Sequence, residues 1–155
     1  MTPPLPRPRR SLRVLLIAAA LAGAGVSFFL QAASVAGRAA AVLSRACGSS
    51  ERFDCGSVLA SRWGRIGGLP TATWGFAYFA FFALWYIVAG LPNRRGRWRH
   101  LLPLLVALVG GAVSLNFTYV LLFRLPAMCS WCLAAHALNA VLIVGTILAD
   151  RKSVV

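Results

Sequence analysis

The stretch 128–149, MCSWCLAAHALNAVLIVGTILA, decides the fold of this chain because it is long and apolar and contains no Asp, Glu, Lys or Arg. A helix needs about 20 predominantly apolar residues to cross a bilayer. The stretch also opens on two cysteines, Cys129 and Cys132, which lie one helical turn apart. It therefore predicts a membrane-spanning helix with a thiol pair at its end.

Three more apolar stretches of this kind occur in the chain. At 59 % hydrophobic and 12 % charged over 155 residues, the sequence has too little polar surface for an ordinary soluble domain. We predict an all-α fold, an integral membrane four-helix bundle that forms a single domain over residues 1–155. The predicted spans are about 14–36, 74–90, 101–123 and 128–149, with a long outer loop at 37–73.

The positive charge, formally +13, is concentrated at the ends of these spans. Positive residues near membrane helices favour the cytoplasmic side, so this pattern indicates orientation and not nucleic-acid binding. Both termini are predicted to be cytoplasmic, and the 37–73 loop is predicted to be exported, although it also carries arginines. The residues that set this orientation are Arg7, Arg9, Arg10, Arg13, Arg94, Arg95, Arg97, Arg99, Arg151 and Lys152.

The N-terminal region allows a second interpretation. A basic segment followed by an apolar run and small residues is also typical of a cleavable signal peptide. The apolar run from Val14 is long for that role. Cleavage would leave three spans and would not change the side of the membrane on which any cysteine lies.

All four cysteines fall on the predicted exported face of the cell inner or plasma membrane. Cys47 and Cys55 lie in the outer loop, and Cys129 and Cys132 lie at the outer end of the fourth span. Exported compartments are oxidising, which favours disulfides over a zinc site, and we predict no metal. Because a CxxC bridge closes a very small loop, it adds little stability and is better suited to redox exchange.

The position of the CxxC pair favours such exchange. If the fourth helix begins just after Pro126, both thiols lie in its first turns, where unpaired backbone N–H groups favour a thiolate. A thiolate is the species that attacks a disulfide.

A stripe of polar residues continues down the fourth span beneath Cys132. His136 and Asn139 follow on the same helical face, at a depth that Asn116 and Tyr119 of the third span can reach. Together with nearby aromatic residues, this stripe predicts an apolar pocket with a few polar contacts, suited to a lipid quinone of the menaquinone, ubiquinone or vitamin K type. These aromatic residues are Trp74, Phe117 and Trp131. Interhelical hydrogen bonding alone is the alternative explanation for the polar residues.

The outer loop supplies a second cysteine pair and an amphipathic segment. Residues 56–70, GSVLASRWGRIGGLP, predict a short interfacial helix over Val58–Ile66, followed by a flexible turn at Gly67, Gly68 and Pro70. This helix is expected to cap the bundle. Cys47 and Cys55 above it are predicted to accept electrons from a soluble protein and to pass them inward by thiol–disulfide exchange.

These features together resemble the vitamin K epoxide reductase family in its bacterial form. The resemblance rests on four spans, a loop cysteine pair, a CxxC that opens the last span, and residues 60–79, ASRWGRIGGLPTATWGFAYF. The order of the two pairs is specific, because the disulfide bond formation protein B type of quinone-linked oxidase has its CxxC in the first outer loop.

The resemblance implies a role for each cysteine. Cys129 and Cys132 match the active-site CxxC, with Cys132 nearest the quinone and Cys129 exchanging with the loop pair. Cys47 and Cys55 match the loop shuttle, and Cys55 is expected to form the bridge to Cys129. The chain is thus predicted to be a thiol:quinone oxidoreductase.

The sequence departs from the animal members of that family at the predicted quinone site. His136 stands where animal members carry a Tyr that contacts the quinone, and Thr71 or Thr73 stands where they carry an Asn. His136 is expected to contact the ring and to act as a proton donor. The substitutions favour reduction of an ordinary respiratory quinone over reduction of an epoxide.

The expected partner is a separate thioredoxin-fold thiol oxidase, because the chain ends after the fourth span whereas many bacterial members carry a fused thioredoxin-like domain. Two alternatives remain open at this point. One is a quinone-linked oxidase of the disulfide bond formation protein B type. The other is a non-catalytic membrane subunit whose disulfides only stabilise the loop.

Overall fold

The computed structural model describes residues 7–35, 47, 52–91 and 97–151 of the chain. Four long helices make up most of this part of the molecule, and a short helix, a 3₁₀ turn and a two-stranded hairpin connect the first two. In chain order the elements are α1 (Arg7–Val35), α2 (Cys55–Ala60), the 3₁₀ turn (Arg62–Gly64), β1 (Arg65–Ile66), β2 (Leu69–Pro70), α3 (Thr71–Val88), α4 (Arg97–Phe123) and α5 (Ser130–Arg151).

The four long helices confirm the predicted all-α membrane bundle. Each contains a segment that is long and apolar enough to cross a membrane: Arg10–Val35, Thr71–Val88, Leu101–Phe123 and Ser130–Asp150. The second segment begins three residues before its predicted start at Trp74. The helix begins directly after Pro70, whose ring cannot occupy a helix interior, whereas the prediction followed the apolar run alone.

The main core lies where α1 packs between α3 and α5. Leu16 of α1, Phe82 of α3 and Leu142 of α5 are completely buried there. Two glycines make the close approach possible, since a Cβ on Gly23 would overlap the ring of Phe79 and one on Gly145 would overlap Leu16. Small residues at helix contacts let membrane helices pack closely, so this region forms a continuous apolar core.

One end of this core is fixed by an N-terminal arginine. The Arg13 guanidinium donates to the carbonyl oxygens of Tyr86 and Ile87 at 2.9 and 2.8 Å. These carbonyls belong to the last turn of α3, where helix carbonyl groups lack partners within the helix. The start of α1 therefore lies beside the end of α3, and the two helices run antiparallel.

A second buried cluster surrounds the cysteines at the opposite end of the bundle. Cys47, Cys55 and Cys129 are buried there with Leu30 of α1 and Leu121 of α4. The end of α1, the start of α3, the end of α4 and the start of α5 all meet at this end. We call it the cysteine end, and the region around Tyr86 the arginine end.

The outer-loop segment is more structured than the sequence indicated. The predicted single helix over Val58–Ile66 ends at Ala60, and the chain continues as the 3₁₀ turn and a hairpin that pairs Ile66 with Leu69. Gly67 and Gly68 have φ angles of 62° and 82°, which suit a two-residue hairpin turn that other residues rarely adopt. The expected flexible turn is therefore an ordered hairpin.

Candidate active site

The CxxC pair lies at the first turn of α5. Cys129 immediately precedes the helix and is disulfide-bonded to Cys132, with the two Cα atoms 5.2 Å apart. The backbone N–H of Cys132 donates to the Cys129 sulfur at 3.1 Å. This is the geometry of a side-chain helix cap, and in the reduced protein the same N–H favours a thiolate at Cys129.

The loop cysteines are held against the CxxC by backbone hydrogen bonds. Cys47 is disulfide-bonded to Cys55, with their Cα atoms 6.2 Å apart. The N–H of Asp54 donates to the carbonyl of Met128 at 3.1 Å, and the N–H of Met128 donates to that of Arg52 at 2.9 Å. These bonds fix the residues just before Cys55 beside those just before Cys129.

Asp54 also fixes the local direction of the chain at Cys55. Its carboxylate accepts from the N–H groups of Gly56 and Ser57 at 2.9 and 3.1 Å, so it caps α2. Cys55 is the first residue of that helix and is only 1 % exposed. The cap and the backbone hydrogen bonds to Met128 therefore hold the Cys55 sulfur in the buried cluster.

Three of the four sulfurs meet in one place. The Sγ atoms of Cys47, Cys55 and Cys129 all lie within 4.8 Å of one another, and Cys129 is completely buried among them. As thiolates these three atoms would also be close enough to share a metal ion. Here both pairs are bonded as disulfides, and the arrangement places the loop disulfide next to the CxxC disulfide, as thiol–disulfide exchange between them would require.

The fourth sulfur belongs to a different environment. Cys132 is half-buried and lines an apolar cavity of about 490 Å³, which also contacts all four long helices and the loop. Ligand-binding cavities commonly have volumes of 300–1,000 Å³ and largely apolar walls. The first turn of α5 thus presents Cys129 to the loop cysteines and Cys132 to the cavity.

The loop segment covers part of this cavity, as predicted. Leu59, Trp63 and Ile66 line it from above, and Trp63 is tied to α3 because the Thr71 hydroxyl donates to its carbonyl at 2.9 Å. The Trp74 indole N–H donates to the carbonyl of Ile66 at 3.4 Å. We call the segment of residues 59–66 the cap, and these two hydrogen bonds join it to the first turn of α3.

Two polar pairs cross from α4 to α5 in the cavity wall. Ser114 Oγ lies 2.7 Å from Nδ1 of His136. One turn deeper, the Asn139 amide donates to the carbonyl of Gly110 at 3.0 Å, and its oxygen accepts from the Tyr78 hydroxyl at 2.7 Å. Both polar groups of Asn139 are thus occupied, in line with the alternative explanation of interhelical hydrogen bonding.

The residues predicted to bind quinone divide into two groups. His136, Trp74 and Thr71 line the cavity, as does Phe117. Thr73, the alternative to Thr71, is not among the lining residues; its hydroxyl oxygen is buried and has no hydrogen-bond partner within the described part of the chain.

The other three predicted residues lie away from the cavity wall. Asn116 and Tyr119 are exposed on the outer side of α4, where the Tyr119 ring lies 5.9 Å from the Arg124 guanidinium. Trp131 packs on Phe29, with ring centroids 5.4 Å apart, in the cluster around the cysteines. The structure therefore does not bring Asn116 or Tyr119 to His136, and Ser114 occupies that position instead.

Helix geometry explains the difference. Successive residues on a helix are rotated by about 100°, so Asn116 is turned about 200° away from Ser114. Ser27, Tyr78 and Ser114 are polar residues of the cavity wall that the sequence analysis did not identify. A signal for Ser114 did exist, because it lies four and three residues from Gly110 and Phe117 and so shares their face of α4.

Four apolar helices, two adjoining cysteine pairs and a cavity that reaches one of these sulfurs define a helical membrane protein with two neighbouring disulfides. The chain matches the Vitamin K epoxide reductase family over residues 14–147. This match covers most of the sequence and confirms the resemblance. The chain belongs to the vitamin K epoxide reductase family.

Two mammalian proteins show the same relationship. Vitamin K epoxide reductase complex subunit 1 of Rattus norvegicus is 33 % identical over 101 residues, which cover 61 % of this chain and 63 % of the rat protein. The protein of the same name from Mus musculus is 34 % identical over 133 residues, which cover 80 % of this chain and 83 % of the mouse protein. Membership of this family excludes the first alternative, an oxidase of the disulfide bond formation protein B type.

Proposed function

We propose that this chain transfers electrons from the thiols of a separate thioredoxin-fold protein to a lipid quinone. The observation that carries the proposal is the division of the CxxC pair between two environments. Cys129 lies with Cys47 and Cys55, whose sulfurs are within 4.8 Å of its own, whereas Cys132 lines the cavity. Electrons that enter at the loop pair can reach the cavity through one disulfide.

The relay needs three exchanges. The partner dithiol reduces the Cys47–Cys55 disulfide and leaves as a disulfide. The Cys55 thiolate attacks the Cys129 sulfur, the Cys129–Cys132 bond breaks, and Cys47 then attacks Cys55 to restore the loop disulfide. Cys129 and Cys132 are left reduced, so two electrons and two protons have moved to the active-site pair.

The cavity supports a quinone as the electron acceptor. Its volume of about 490 Å³ and its mainly apolar walls suit a ring with an isoprenoid substituent, and Cys132 and His136 lie one turn apart in its wall. Reduction of the ring to the hydroquinone consumes the two electrons and two protons of the thiols and restores the Cys129–Cys132 disulfide. Quinone potentials lie above those of ordinary protein dithiols, which sets this direction.

Substrate and orientation complete the proposal. His136 and Thr71 replace the Tyr and Asn of the animal members, so the acceptor is an ordinary respiratory quinone and not an epoxide. Both termini lie in the cytoplasm and the cysteine end faces the exported side of the plasma membrane, in agreement with the arginine-rich N-terminus and 94–99 segment. There the chain reoxidises its partner, which forms disulfides in exported proteins.

An anaerobic assay of the purified full-length chain in detergent tests this function. Reduced thioredoxin-fold oxidase and a soluble quinone analogue are mixed with wild type or Cys132→Ala, and quinone absorbance is followed. We expect turnover with wild type and a loss of at least about 10³-fold in the variant, because the cysteine that lines the cavity is removed. A reaction without the partner is the control.

No quinone reduction by wild type, with both disulfides stable toward the partner, would contradict the relay. That result would support the remaining alternative, a membrane subunit whose disulfides brace the outer loop.

A further inference from the structure

Ser114 and His136 form a polar pair whose second ring nitrogen is left open to the cavity. Both residues line the cavity, and Nδ1 of His136 is 2.7 Å from Ser114 Oγ. Nε2 has no hydrogen-bond partner within residues 52–91 and 101–150 or the described part of α1. The pair therefore differs from Asn139, whose two polar groups both bind protein atoms.

The hydrogen bond determines where the imidazole proton lies. The Ser114 hydroxyl has one proton, and Nδ1 is the only acceptor recorded for it among the described residues. Its usual alternative in a helix, the carbonyl four residues earlier, is that of Gly110, which already accepts from Asn139. Donation from Ser114 to Nδ1 is the arrangement that satisfies this hydroxyl proton, and a neutral histidine whose Nδ1 is an acceptor carries its proton on Nε2.

We infer that Ser114 fixes His136 as the Nε2–H tautomer, so that His136 donates a hydrogen bond to one oxygen of the bound quinone. This inference rests on the proposed function and names the residues that stabilise the reduced ring. His136 lies one turn below Cys132 on the same face of α5, about 6 Å along the helix axis. A ring between them receives electrons from Cys132 while one of its oxygens contacts Nε2–H.

The same geometry argues for a hydrogen-bond donor in place of the proton donor predicted from the sequence. Loss of the Nε2 proton would have to be balanced by a proton at Nδ1, and the group bonded there is the Ser114 hydroxyl. That transfer would leave a serine alkoxide, which is far too basic to form. His136 therefore stabilises the negative charge that develops on the quinone oxygen, and the two protons of the hydroquinone come from the cysteine thiols or, for a thiol that is ionised, from solvent.

Two substitutions of His136 separate these roles. The protein is reduced first, and a single turnover with a soluble quinone analogue is then followed anaerobically, so that the loop relay does not contribute. Removal of one such donor costs on the order of 10²-fold in rate, which we expect for His136→Phe. His136→Gln keeps an N–H donor near the Nε2 position and cannot ionise, so it should remain within about tenfold of wild type.

Ser114 is tested as a positioning residue by a spectroscopic measurement that does not depend on activity. The chain has two histidines, so ¹⁵N-histidine labelling gives two ring systems, and His100→Gln assigns them. Wild type should show His136 as the Nε2–H tautomer. Ser114→Ala should populate both tautomers and slow the single turnover by about tenfold, while Ser114→Thr, which keeps the hydroxyl, should restore both properties.

Thr118→Val is the matched control. It removes a hydroxyl from the next turn of α4, where Thr118 donates only to the backbone carbonyl of Ser114 at 2.8 Å and does not line the cavity. We expect the wild-type rate and the wild-type tautomer.

Specific outcomes would overturn the inference. An Nδ1–H tautomer in wild type, or an unchanged tautomer in Ser114→Ala, contradicts the role of Ser114. A His136→Gln variant as slow as His136→Phe indicates proton transfer instead. If wild type reduces quinone and His136→Phe does so equally fast, this inference fails while the proposed function stands, whereas no reduction by wild type overturns both.

Discussion

The two ends of the bundle contain similar apolar residues, but one end is filled with side chains and the other encloses a cavity. At the arginine end, Leu16, Phe82, Tyr86 and Leu142 are completely buried, and the space between α1, α3 and α5 is filled. At the cysteine end, the four long helices leave a cavity of about 490 Å³ beneath the cap. A filled end stabilises the helices so that the hollow end can hold a ligand and a reactive disulfide.

Polar groups differ between the ends in the same way. Tyr86 and Thr146 are completely buried at the arginine end, and their hydroxyl oxygens are 2.5 Å apart. At the cysteine end, one ring nitrogen of His136 has no hydrogen-bond partner among the residues that the structure describes. In the described helices, a polar residue whose groups all form hydrogen bonds with protein atoms has a structural role. A polar residue that keeps an unused hydrogen-bonding group at the cavity is a candidate for contact with a ligand.

The comparison predicts that changes at the cysteine end remove activity and leave stability intact. In Cys55→Ser the partner can no longer pass electrons to Cys129, so partner-driven quinone reduction should fall by at least about 10³-fold. A single turnover of the pre-reduced variant should match wild type, because Cys129 and Cys132 remain. Stopped-flow quinone absorbance measures both rates.

Ser57→Ala is the control for this experiment. It changes an exposed residue of the same short helix, whose hydroxyl donates only to the carbonyl of Asp54, and should react like wild type. Wild-type turnover by Cys55→Ser with the partner would show that electrons enter directly at the CxxC pair.

The general architecture was predictable because it depends on local properties of the sequence, namely the length, the apolar character and the charge of each segment. Four apolar runs without charges define the spans, and the CxxC at the start of the last run fixes which end carries the cysteines. The structure places Cys132 in the cavity wall and Cys129 near the loop cysteines, while the roles implied by the family resemblance stay predictions.

The wall of the cavity was harder to predict, and α4 shows why. A soluble amphipathic helix reveals its inner face by its apolar stripe, but α4 is apolar on all sides because lipid and core are equally apolar. The spacing of Ser114 from Gly110 and Phe117 was the one local sign that Ser114 faces α5 while Asn116 faces outward.

The cap was predicted, but the end of its helix was not, for a different reason. An amphipathic pattern over Val58–Ile66 indicated one helix, but the pattern does not register close backbone packing. Gly64 lies so close to the carbonyl of Leu59 that a Cβ would overlap it. Because glycine has no Cβ, the chain can fold back at this point instead of continuing as a helix.

At the arginine end the expected effects are on stability. Phe82→Ala removes a completely buried ring between α1 and α3 and should lower the free energy of unfolding by about 3 kcal/mol, mainly through lost packing contacts. Unfolding in a denaturing detergent, followed by tryptophan fluorescence, measures the change. The folded fraction should reduce quinone at the wild-type rate in a single turnover, and a slower rate would show that the two ends are coupled.

The smallest expected effect separates the two members of the Tyr86–Thr146 pair. Tyr86→Phe removes one interhelical hydrogen bond and should cost about 0.6 kcal/mol, because the Thr146 hydroxyl still donates to the carbonyl of Leu142 at 2.6 Å. Thr146→Val leaves the buried Tyr86 hydroxyl without that partner and should cost about 2 kcal/mol. The same detergent unfolding measures both variants. If both variants lose the same free energy of unfolding, the pair contributes only its one hydrogen bond, and the unpaired Tyr86 hydroxyl carries no extra cost. We expect the extra cost because Tyr86 is completely buried.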